Sequence, residues 1–316
     1  MSGKVCRSGE DEGRDSPAKL SFRIGAREGR RGSMTEQVWR FIRSGAGTPA
    51  DNMAIDEAML IAHSEGKTPP TVRFYGWNPA TLSIGYFQKA EDEIALDELE
   101  RQGVGFVRRP TGGRAVLHDR ELTYSMIVSE EYPDMPSTVN EAYRVLSEGL
   151  VHGFRHLGLR AEMVNLGSSE EKAKYTSTAG SAACFDSPSW YELVVEGRKI
   201  AGSAQTRSRG VILQHGSILL EMDVEQLFSL LRFSNERVKE RLKQSFHTKA
   251  VSIGDICRGM GKGPVTYAEA EAAFHAGIGE GLNVRLVEGE LTAYEKELAV
   301  SLAADKYGSD DWNLRR

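Results

Sequence analysis

The sequence predicts an α+β fold in which mixed or antiparallel β-sheets are flanked by helices and followed by a helical C-terminal region. β-rich runs joined by turn residues occupy much of the chain before residue 223, and helical patterns interrupt them at intervals. After Asp223 the patterns become mostly helical. Strands that follow one another as hairpins favour α+β over a doubly wound parallel sheet.

The first half of the chain supplies the first strands and helices. QVWRFIRSG predicts a strand, and residues 48–66 predict a helix with Thr48 as its cap, Pro49 in its first turn and Gly66 at its end. TVRFYGW and ATLSIGYFQ are two strands broken at Asn78 and Pro79. EDEIALDELERQG predicts a short amphipathic helix, and VGFVRRP predicts the strand that follows it.

The second half begins with a glycine-rich loop and two strands in TGGRAVLHD and ELTYSMIVSE. Residues 137–157 predict a helix, the turn around residues 196–199 predicts a hairpin, and RGVILQHGSILL predicts one more strand. The remaining helices are predicted in VEQLFSLL, ERVKERLKQ, TYAEAEAAFHAGIGEGL and TAYEKELAVSLAADKY.

Composition and charge exclude several classes of protein. The chain has 316 residues, of which 40% are hydrophobic and 27% charged, as in ordinary globular proteins. Its net charge of -5 argues against binding nucleic acid through phosphate neutralisation. The sequence contains no apolar run of about 18 residues that could span a membrane. Cys6, Cys184 and Cys257 are far apart and show no metal-ligand spacing, so we expect neither disulfides nor a metal site, and a cytoplasmic location.

The chain divides into three regions. Residues 1–33 carry eight Lys or Arg and five Asp or Glu with few apolar residues, which predicts a disordered N-terminal extension. A start codon upstream of Met34 would explain this extension. We expect one folded domain over residues 34–250 and a helical C-terminal region over residues 251–316 that packs on it.

Two segments carry candidate chemistry. In RRPTGGRAVLHD, Gly112 and Gly113 let the backbone approach a ligand closely, although a tight turn needs the same glycines. The spacing matches neither a P-loop nor a dinucleotide fingerprint. In GRKIAGSAQTR, Lys199 follows a hairpin turn, and small residues after it would let a substrate lie against the strand. A lysine beside a turn is ordinarily solvated, so neither segment decides a function alone.

Together, RRPTGGRAVLHD and GRKIAGSAQ resemble the catalytic domain shared by biotin protein ligases, lipoate protein ligases and lipoyl or octanoyl transferases. The resemblance covers roughly residues 36–250 and implies that the two segments bracket an acyl group, with Lys199 directed at its carbonyl end. It implies substrate-binding roles for Arg109, Thr111, Gly112, Gly113, Arg114, Ala115, His118, Gly202, Ser203 and Ala204. For His118 we expect a hydrogen-bonded structural role rather than a proton shuttle, and Trp77 is expected to pack or to line an acyl tunnel.

Cys184 separates the reactions within this family. Its place ahead of the lysine segment, and the arginine in TGGRAVLHD, resemble transferases that move octanoyl from acyl carrier protein to a lysine of a lipoyl domain such as the glycine cleavage H protein. The resemblance implies a cysteine thioester intermediate, no cofactor and a monomer. Two further enzyme readings stay open, namely transfer of octanoyl from the H protein to other lipoyl domains and ATP-dependent lipoate ligation. A carrier-binding module without catalysis is a third.

Cys184 and Lys199 would form the catalytic pair. A free thiol has a pKa of about 8.5, and a nearby ammonium favours the thiolate that attacks a thioester. Counting along the hairpin places Lys199 about 20 Å from residue 190 at ~3.3 Å per residue. We therefore expect the loop that carries Cys184 to fold back over the sheet.

Overall fold

The α+β class is confirmed by a computed structural model that describes residues 37–166 and 191–315. The predicted disorder of residues 1–33 and the candidate nucleophile Cys184 lie outside the described residues. The strands are β1 Gln37–Gly47, β2 Thr71–Trp77, β3 Thr81–Ile84, β4 Gly105–Arg108, β5 Val116–His118, β6 Glu121–Ser129, β7 Ala161–Asn165, β8 Tyr191–Val195, β9 Arg198–Ser208, β10 Val211–Leu219 and β11 Val284–Glu288.

The helices surround these strands and are concentrated toward the C-terminus. They are α1 Pro49–Ser64, α2 Ala90–Glu93, α3 Leu96–Gln102, α4 Val139–His156, α5 Val224–Ser229, α6 Glu236–Lys249, α7 Ile253–Gly259, α8 Tyr267–Leu282, α9 Ala293–Leu302 and α10 Asp310–Asn313, with a π-helical turn at Ala303–Tyr307. None of the helices in these two described stretches is long and apolar enough to cross a membrane.

Two sheets form the framework. The large sheet has the order β11, β1, β2, β6, β10, β9, β8, β7, and its pairs are antiparallel except that β1 runs parallel to both β2 and β11. The small sheet has the order β4, β3, β5. A mixed sheet of this kind matches the prediction from the hairpin pattern.

Alternation along the central strands gives the large sheet two different faces. One face supplies apolar side chains such as Phe74, Tyr124 and Ile212 to a core shared with α4 and α8. The opposite face carries polar side chains at the alternate positions, among them Arg73 and His215, and both of these bond to α1. The polar face therefore lies beneath α1, and it holds the site described below.

Glycines bring α4 and α8 unusually close together. A Cβ atom added at Gly277 of α8 would lie 2.1 Å from the backbone nitrogen of Gly153 on α4, and one at Gly281 would lie 2.6 Å from the backbone of Gly149. Real side chains cannot occupy such positions, so this helix pair needs glycine at the crossing. The sequence analysis did not identify this packing.

Most predicted elements are present in the structure, but one predicted helix is divided in two, and the short elements β7, β11, α7 and α10 were not predicted. Thr48 caps α1 by accepting a hydrogen bond from the backbone of Asp51, as predicted. The single helix predicted near residues 91–103 is two helices, because Ile94 leaves the helix to form a bridge with Leu231. Strand β11 was not predicted, since its five residues follow directly on α8 and gain their partner only by lying parallel to β1.

We predict that Gly277→Ala destabilises the protein by about 1–3 kcal/mol, because the new methyl group overlaps the backbone of Gly153. Unfolding in urea followed by circular dichroism measures the change. Gly259→Ala is the control. Gly259 is the last residue of helix α7, and an added Cβ there would have no atom within 4 Å. Equal stabilities of the two variants would contradict the packing argument.

Candidate functional site

A pocket of about 410 Å³ opens between the polar face of the large sheet and the small sheet. Six of the residues predicted from the sequence line it: Arg109, Gly113, His118, Gly202, Ser203 and Ala204. The rest of its lining comes from α1 and the central strands, namely Met53, Tyr75, Trp77, Val116, Thr123, His215, Gly216 and Ser217. The two segments singled out in the sequence therefore meet across one cavity.

The glycine-rich loop is held in place by Arg109, which is almost fully buried. Its guanidinium donates to the carbonyl and hydroxyl oxygens of Ser83 at 3.0 and 2.7 Å, and to the carbonyls of Gly112 and Arg114 at 3.1 and 2.9 Å. Gly113 has a φ of +96°, which favours glycine. In this structure the side chain of Arg109 therefore fixes the shape of the loop.

Thr111, at the centre of the same loop, begins a buried hydrogen-bonded chain. Its hydroxyl lies 2.7 Å from Nε2 of His215 on β10, and Nδ1 of His215 lies 3.1 Å from Oδ2 of Asp56 on α1. Burial lowers the pKa of His215, so its ring is neutral and donates from Nδ1 to the carboxylate. The Nε2 atom then accepts a hydrogen bond from the hydroxyl group of Thr111.

Asp56 is the centre of this network and is completely buried. Burial acts to raise its pKa, but the hydrogen bond from His215 and the charge of Arg73 outweigh this effect and lower the pKa. Arg73 donates to Oδ1 at 2.8 Å, while the hydroxyls of Tyr75 and Ser125 donate to the two carboxylate oxygens at 3.0 and 2.9 Å. The carboxylate is thus ionised and fully surrounded by donors.

His118 lies at the other side of the pocket, stacked on the ring of Trp77 with centroids 4.3 Å apart. Its Nδ1 atom contacts the carboxylate of Glu121 at 2.6 Å, and its Nε2 atom contacts the hydroxyl of Ser83 at 2.6 Å. Both ring nitrogens are thus hydrogen-bonded within the protein. We expected a hydrogen-bonded structural histidine here. His118 has both hydrogen bonds, and its side chain also lines the pocket.

Small residues keep the floor of the pocket open. A Cβ atom at Gly216 would lie 2.3 Å from the carbonyl oxygen of Gly202, so only glycine fits between β9 and β10 here. The hydroxyl of Tyr124 donates to Ser203 at 2.7 Å, and burial raises the pKa of Tyr124 to about 12. The apolar part of the lining comes from side chains such as Met53, Trp77 and Val116 together with the small Gly202 and Ala204, and it suits an alkyl chain.

Lys199 lies on β9, three residues before Gly202, and is almost fully buried. Its ammonium forms an ion pair with Glu192 of β8 at 2.8 Å. Lys199 is not solvated as a lysine beside a turn ordinarily is, because the hairpin turns at residues 196–197 and places Lys199 opposite Val194 within the sheet. Lys199 is three register positions from Tyr191, about 10 Å along the strand. The ~20 Å expected from the sequence refers to residue 190, which lies outside the described residues.

Six of the ten residues predicted to bind substrate line the pocket, while Thr111, Gly112, Arg114, Ala115 and the predicted catalytic Lys199 are not part of its lining. Arg114 is partly exposed and contacts Glu93 at 3.3 Å, while Ala115 belongs to a separate apolar cluster under the small sheet. Thr111 and Gly112 belong to the glycine-rich loop, where Thr111 contacts His215 and the carbonyl of Gly112 accepts a hydrogen bond from Arg109. Within the described ranges, no group of three or more His, Cys, Asp or Glu side chains is arranged to hold a metal ion.

Sequence reasoning missed the residues of the polar face. They are Asp56, Arg73, Tyr75, Thr123, Ser125, His215 and Ser217. A signal was present, because polar side chains alternate with apolar ones within strands β2, β6 and β10 although both faces are buried. Buried polar side chains need hydrogen-bond partners, so this alternation could have predicted that these residues bond to one another.

Comparisons with known proteins agree with this geometry. Residues 48–278 match the model of the lipoyl protein ligase A/B catalytic domain. The chain is 62% identical over 280 residues to octanoyltransferase LipM of Brevibacillus brevis, covering 89% of this chain and 100% of the relative. It is 55% identical over 283 residues to octanoyltransferase LipM of Bacillus subtilis, covering 90% and 100%.

A solved structure shares the fold. It is a bipartite lipoate protein ligase from Thermoplasma acidophilum, described with its E2 lipoyl domain, which superposes with a TM-score of 0.71 at 26% identity. The alignment covers 89% of this chain and 98% of that one.

We predict that Asp56→Asn lowers the free energy of unfolding by about 3–5 kcal/mol, because it leaves the buried guanidinium of Arg73 without a counter-charge. Glu57→Gln is the matched control on the same helix, where the carboxylate pairs with the partly exposed Lys306 and about 1 kcal/mol or less is expected. Urea unfolding distinguishes the two. A loss at Asp56 no larger than that at Glu57 would contradict the role of the network.

We predict that the protein loses stability as the pH falls below about 6.5. The pKa of His215 is lowered from 6.5 by burial, so the unfolded chain takes up a proton that the folded chain does not. The lowered pKa of Asp56 adds a further loss below about 3.8. Melting temperatures between pH 8 and 3 measure both losses, and His215→Gln should flatten the part between pH 6.5 and 4. The exposed His247→Gln should leave the profile unchanged, and a flat wild-type profile would refute the assignment.

Proposed function

This chain belongs to the lipoyl protein ligase A/B catalytic domain family, and we infer that it is an acyltransferase that transfers octanoyl groups in lipoate biosynthesis. The observation that carries this conclusion is identity of 55–62% across the full length of octanoyltransferases. The pocket agrees with it, since its largely apolar lining suits a medium alkyl chain.

The donor in this proposal is octanoyl-acyl carrier protein, and the acceptor is a lysine of a lipoyl domain such as the glycine cleavage H protein. A thioester donor already carries an activated acyl group, so the transfer needs no nucleotide. The structural relative from Thermoplasma acidophilum is described together with an E2 lipoyl domain, which supports a lipoyl-domain acceptor. The same likeness to a lipoate protein ligase keeps an ATP-dependent reaction as the alternative to be tested.

Transfer proceeds in two steps through Cys184. The thiolate sulfur attacks the carbonyl carbon of the donor thioester, an S–C bond forms, and the carrier leaves as its thiolate. The amine of the acceptor lysine then attacks the octanoyl thioester, an N–C bond forms, Cys184 leaves as a thiolate and the amine releases one proton. Backbone NH groups of the glycine-rich loop are the proposed donors to the oxyanion formed in each step.

Lys199 is proposed to favour the thiolate of Cys184. It lies about 10 Å along the strand from Tyr191, and the seven residue-to-residue steps from Cys184 to Tyr191 can span up to ~23 Å. The chain is therefore long enough for the thiol to reach the ammonium. Because Lys199 is buried, solvent screens its charge little, and the ion pair with Glu192 offsets part of that charge.

We predict that the wild-type protein, mixed with octanoyl-acyl carrier protein and no ATP, gains the mass of one octanoyl group on Cys184. Cys184→Ala should lose both this adduct and transfer to the H protein, because no other group forms the intermediate. Intact-mass spectrometry reads both proteins in one sample. Cys257→Ala is the control, since Cys257 is a buried core residue and its loss should preserve transfer.

The alternative functions predict different results in the same experiment. Octanoylation of the H protein only when octanoate and ATP are supplied, with Cys184→Ala still active, would replace the transferase by a ligase. Tight binding of the octanoyl carrier without any acyl transfer would indicate a binding module. An adduct formed only from octanoyl-H protein would assign the amidotransferase.

We predict that Lys199→Ala raises the pKa of the Cys184 thiol and slows its acylation at pH 7, because the neighbouring positive charge is lost. Iodoacetamide labelling rates between pH 5 and 10 measure the thiol pKa, in a background with Cys6→Ala and Cys257→Ala so that only Cys184 reacts. Arg198→Ala is the matched control, since that adjacent cation pairs with Glu196. If the pKa of the Cys184 thiol is the same in Lys199→Ala and Arg198→Ala, Lys199 does not favour the thiolate.

A further inference from the structure

A second cavity lies directly behind the acyl pocket. It is an open groove of about 680 Å³ on the same face of the large sheet. Leu60, Pro110, Thr206 and Leu213 line the part next to the pocket, and the charged side chains of Glu57, Arg207, Arg209 and Lys306 are among those that line the rest. Thr206 and Leu213 are paired across β9 and β10. The next pair on that face is Ala204 with His215, and both of these line the pocket.

The chain of hydrogen bonds between Thr111, His215 and Asp56 separates the two cavities. Along α1, Met53 lines the pocket, Asp56 belongs to the chain, and Leu60 lines the groove. Along β10 the corresponding order is Ser217, His215 and Leu213. The boundary is therefore one layer of side chains, formed by α1, β10 and the glycine-rich loop.

This boundary closes the end of the pocket that is remote from Lys199. Going along β9 from Lys199, the chain first reaches Gly202 and Ala204 beside the pocket and then Thr206 beside the groove. Lys199 and Ala204 are five residues apart, roughly 16 Å along the strand. An acyl group whose carbonyl lies between Lys199 and the pocket, and which runs along β9, therefore extends toward His215.

We propose that the Thr111, His215 and Asp56 chain is the wall that limits acyl-chain length, and that the groove behind it would accept the additional carbons of a longer chain if the wall were opened. The proposal rests on the proposed acyl transfer and identifies the residues that select the substrate. The wall resists displacement because its three members are buried and hydrogen-bonded to each other and Asp56 also binds Arg73. A longer alkyl chain would have to break these bonds and leave polar groups unpaired.

The test measures kcat/KM with octanoyl-, decanoyl- and dodecanoyl-acyl carrier protein for wild type and for His215→Ala. Wild type should prefer octanoyl. In His215→Ala the ratio of dodecanoyl to octanoyl kcat/KM should rise about tenfold or more, a size typical of pocket discrimination between alkyl chains. Thr111→Ala removes another member of the wall and should shift the ratio in the same direction, and it decides the question if His215→Ala does not fold.

Two further variants distinguish an opened wall from a loosened protein. Leu213→Ala enlarges the groove while leaving the wall intact, so its chain-length ratio should equal that of wild type. Adding Leu213→Phe to His215→Ala refills the groove, and the ratio should fall back toward the wild-type value. Melting temperatures confirm that each variant is folded.

The outcomes separate this proposal from the proposed function. A wild-type protein that transfers no octanoyl group at all would contradict the proposed function itself. Octanoyl transfer by wild type together with an unchanged chain-length ratio in the folded wall variants would overturn the wall alone. A raised ratio that Leu213→Phe does not reverse would show that the extra carbons lie elsewhere, and would equally overturn it.

Discussion

The arrangement of the site depends on a fully buried ion pair between Arg73 of β2 and Asp56 of α1, whose charged atoms are 2.8 Å apart. Removing two charges from water is costly, and their attraction repays the cost only when the remaining donors and acceptors are also satisfied. Arg73 therefore also donates to Ser44 and to Asn52, and Asp56 accepts from the neighbouring hydroxyls and from His215. The requirement explains why one face of an otherwise apolar sheet is polar beneath α1.

The same requirement connects the core of the protein to its substrate pocket. His215 is hydrogen-bonded to both Asp56 and Thr111, so it links the buried ion pair to the glycine-rich loop. Arg109 fixes the same loop by donating to the carbonyls of Gly112 and Arg114. Each group in this path is held by more than one hydrogen bond. A loop of small, flexible residues is thereby given one shape before a substrate arrives, which reduces the cost of ordering it on binding.

The two ends of the pocket are built for different tasks. The end near Asp56 is a buried layer of side chains that are hydrogen-bonded to one another. The end near Lys199 carries a buried cation on a hairpin strand, with Glu192 as its partner, close to the point where the described chain resumes at Tyr191. In the proposed transfer, the charge at the hairpin lies apart from the layer that would surround the alkyl chain. Binding and chemistry can then be altered by separate substitutions.

The sequence by itself determined the α+β class, the order of most elements, and the two segments whose residues meet at the pocket. These features follow from local causes, namely alternation along strands, caps such as Thr48, and glycines where the backbone must bend or approach closely. The tertiary structure alone decided that Arg109 supports the loop, that Lys199 is buried opposite Val194, that β11 joins the large sheet beside β1, and that Asp56 and His215 meet. The partners in each of these contacts are distant in the chain or set by strand register, and a buried polar side chain reveals its function only when the group that satisfies it is known.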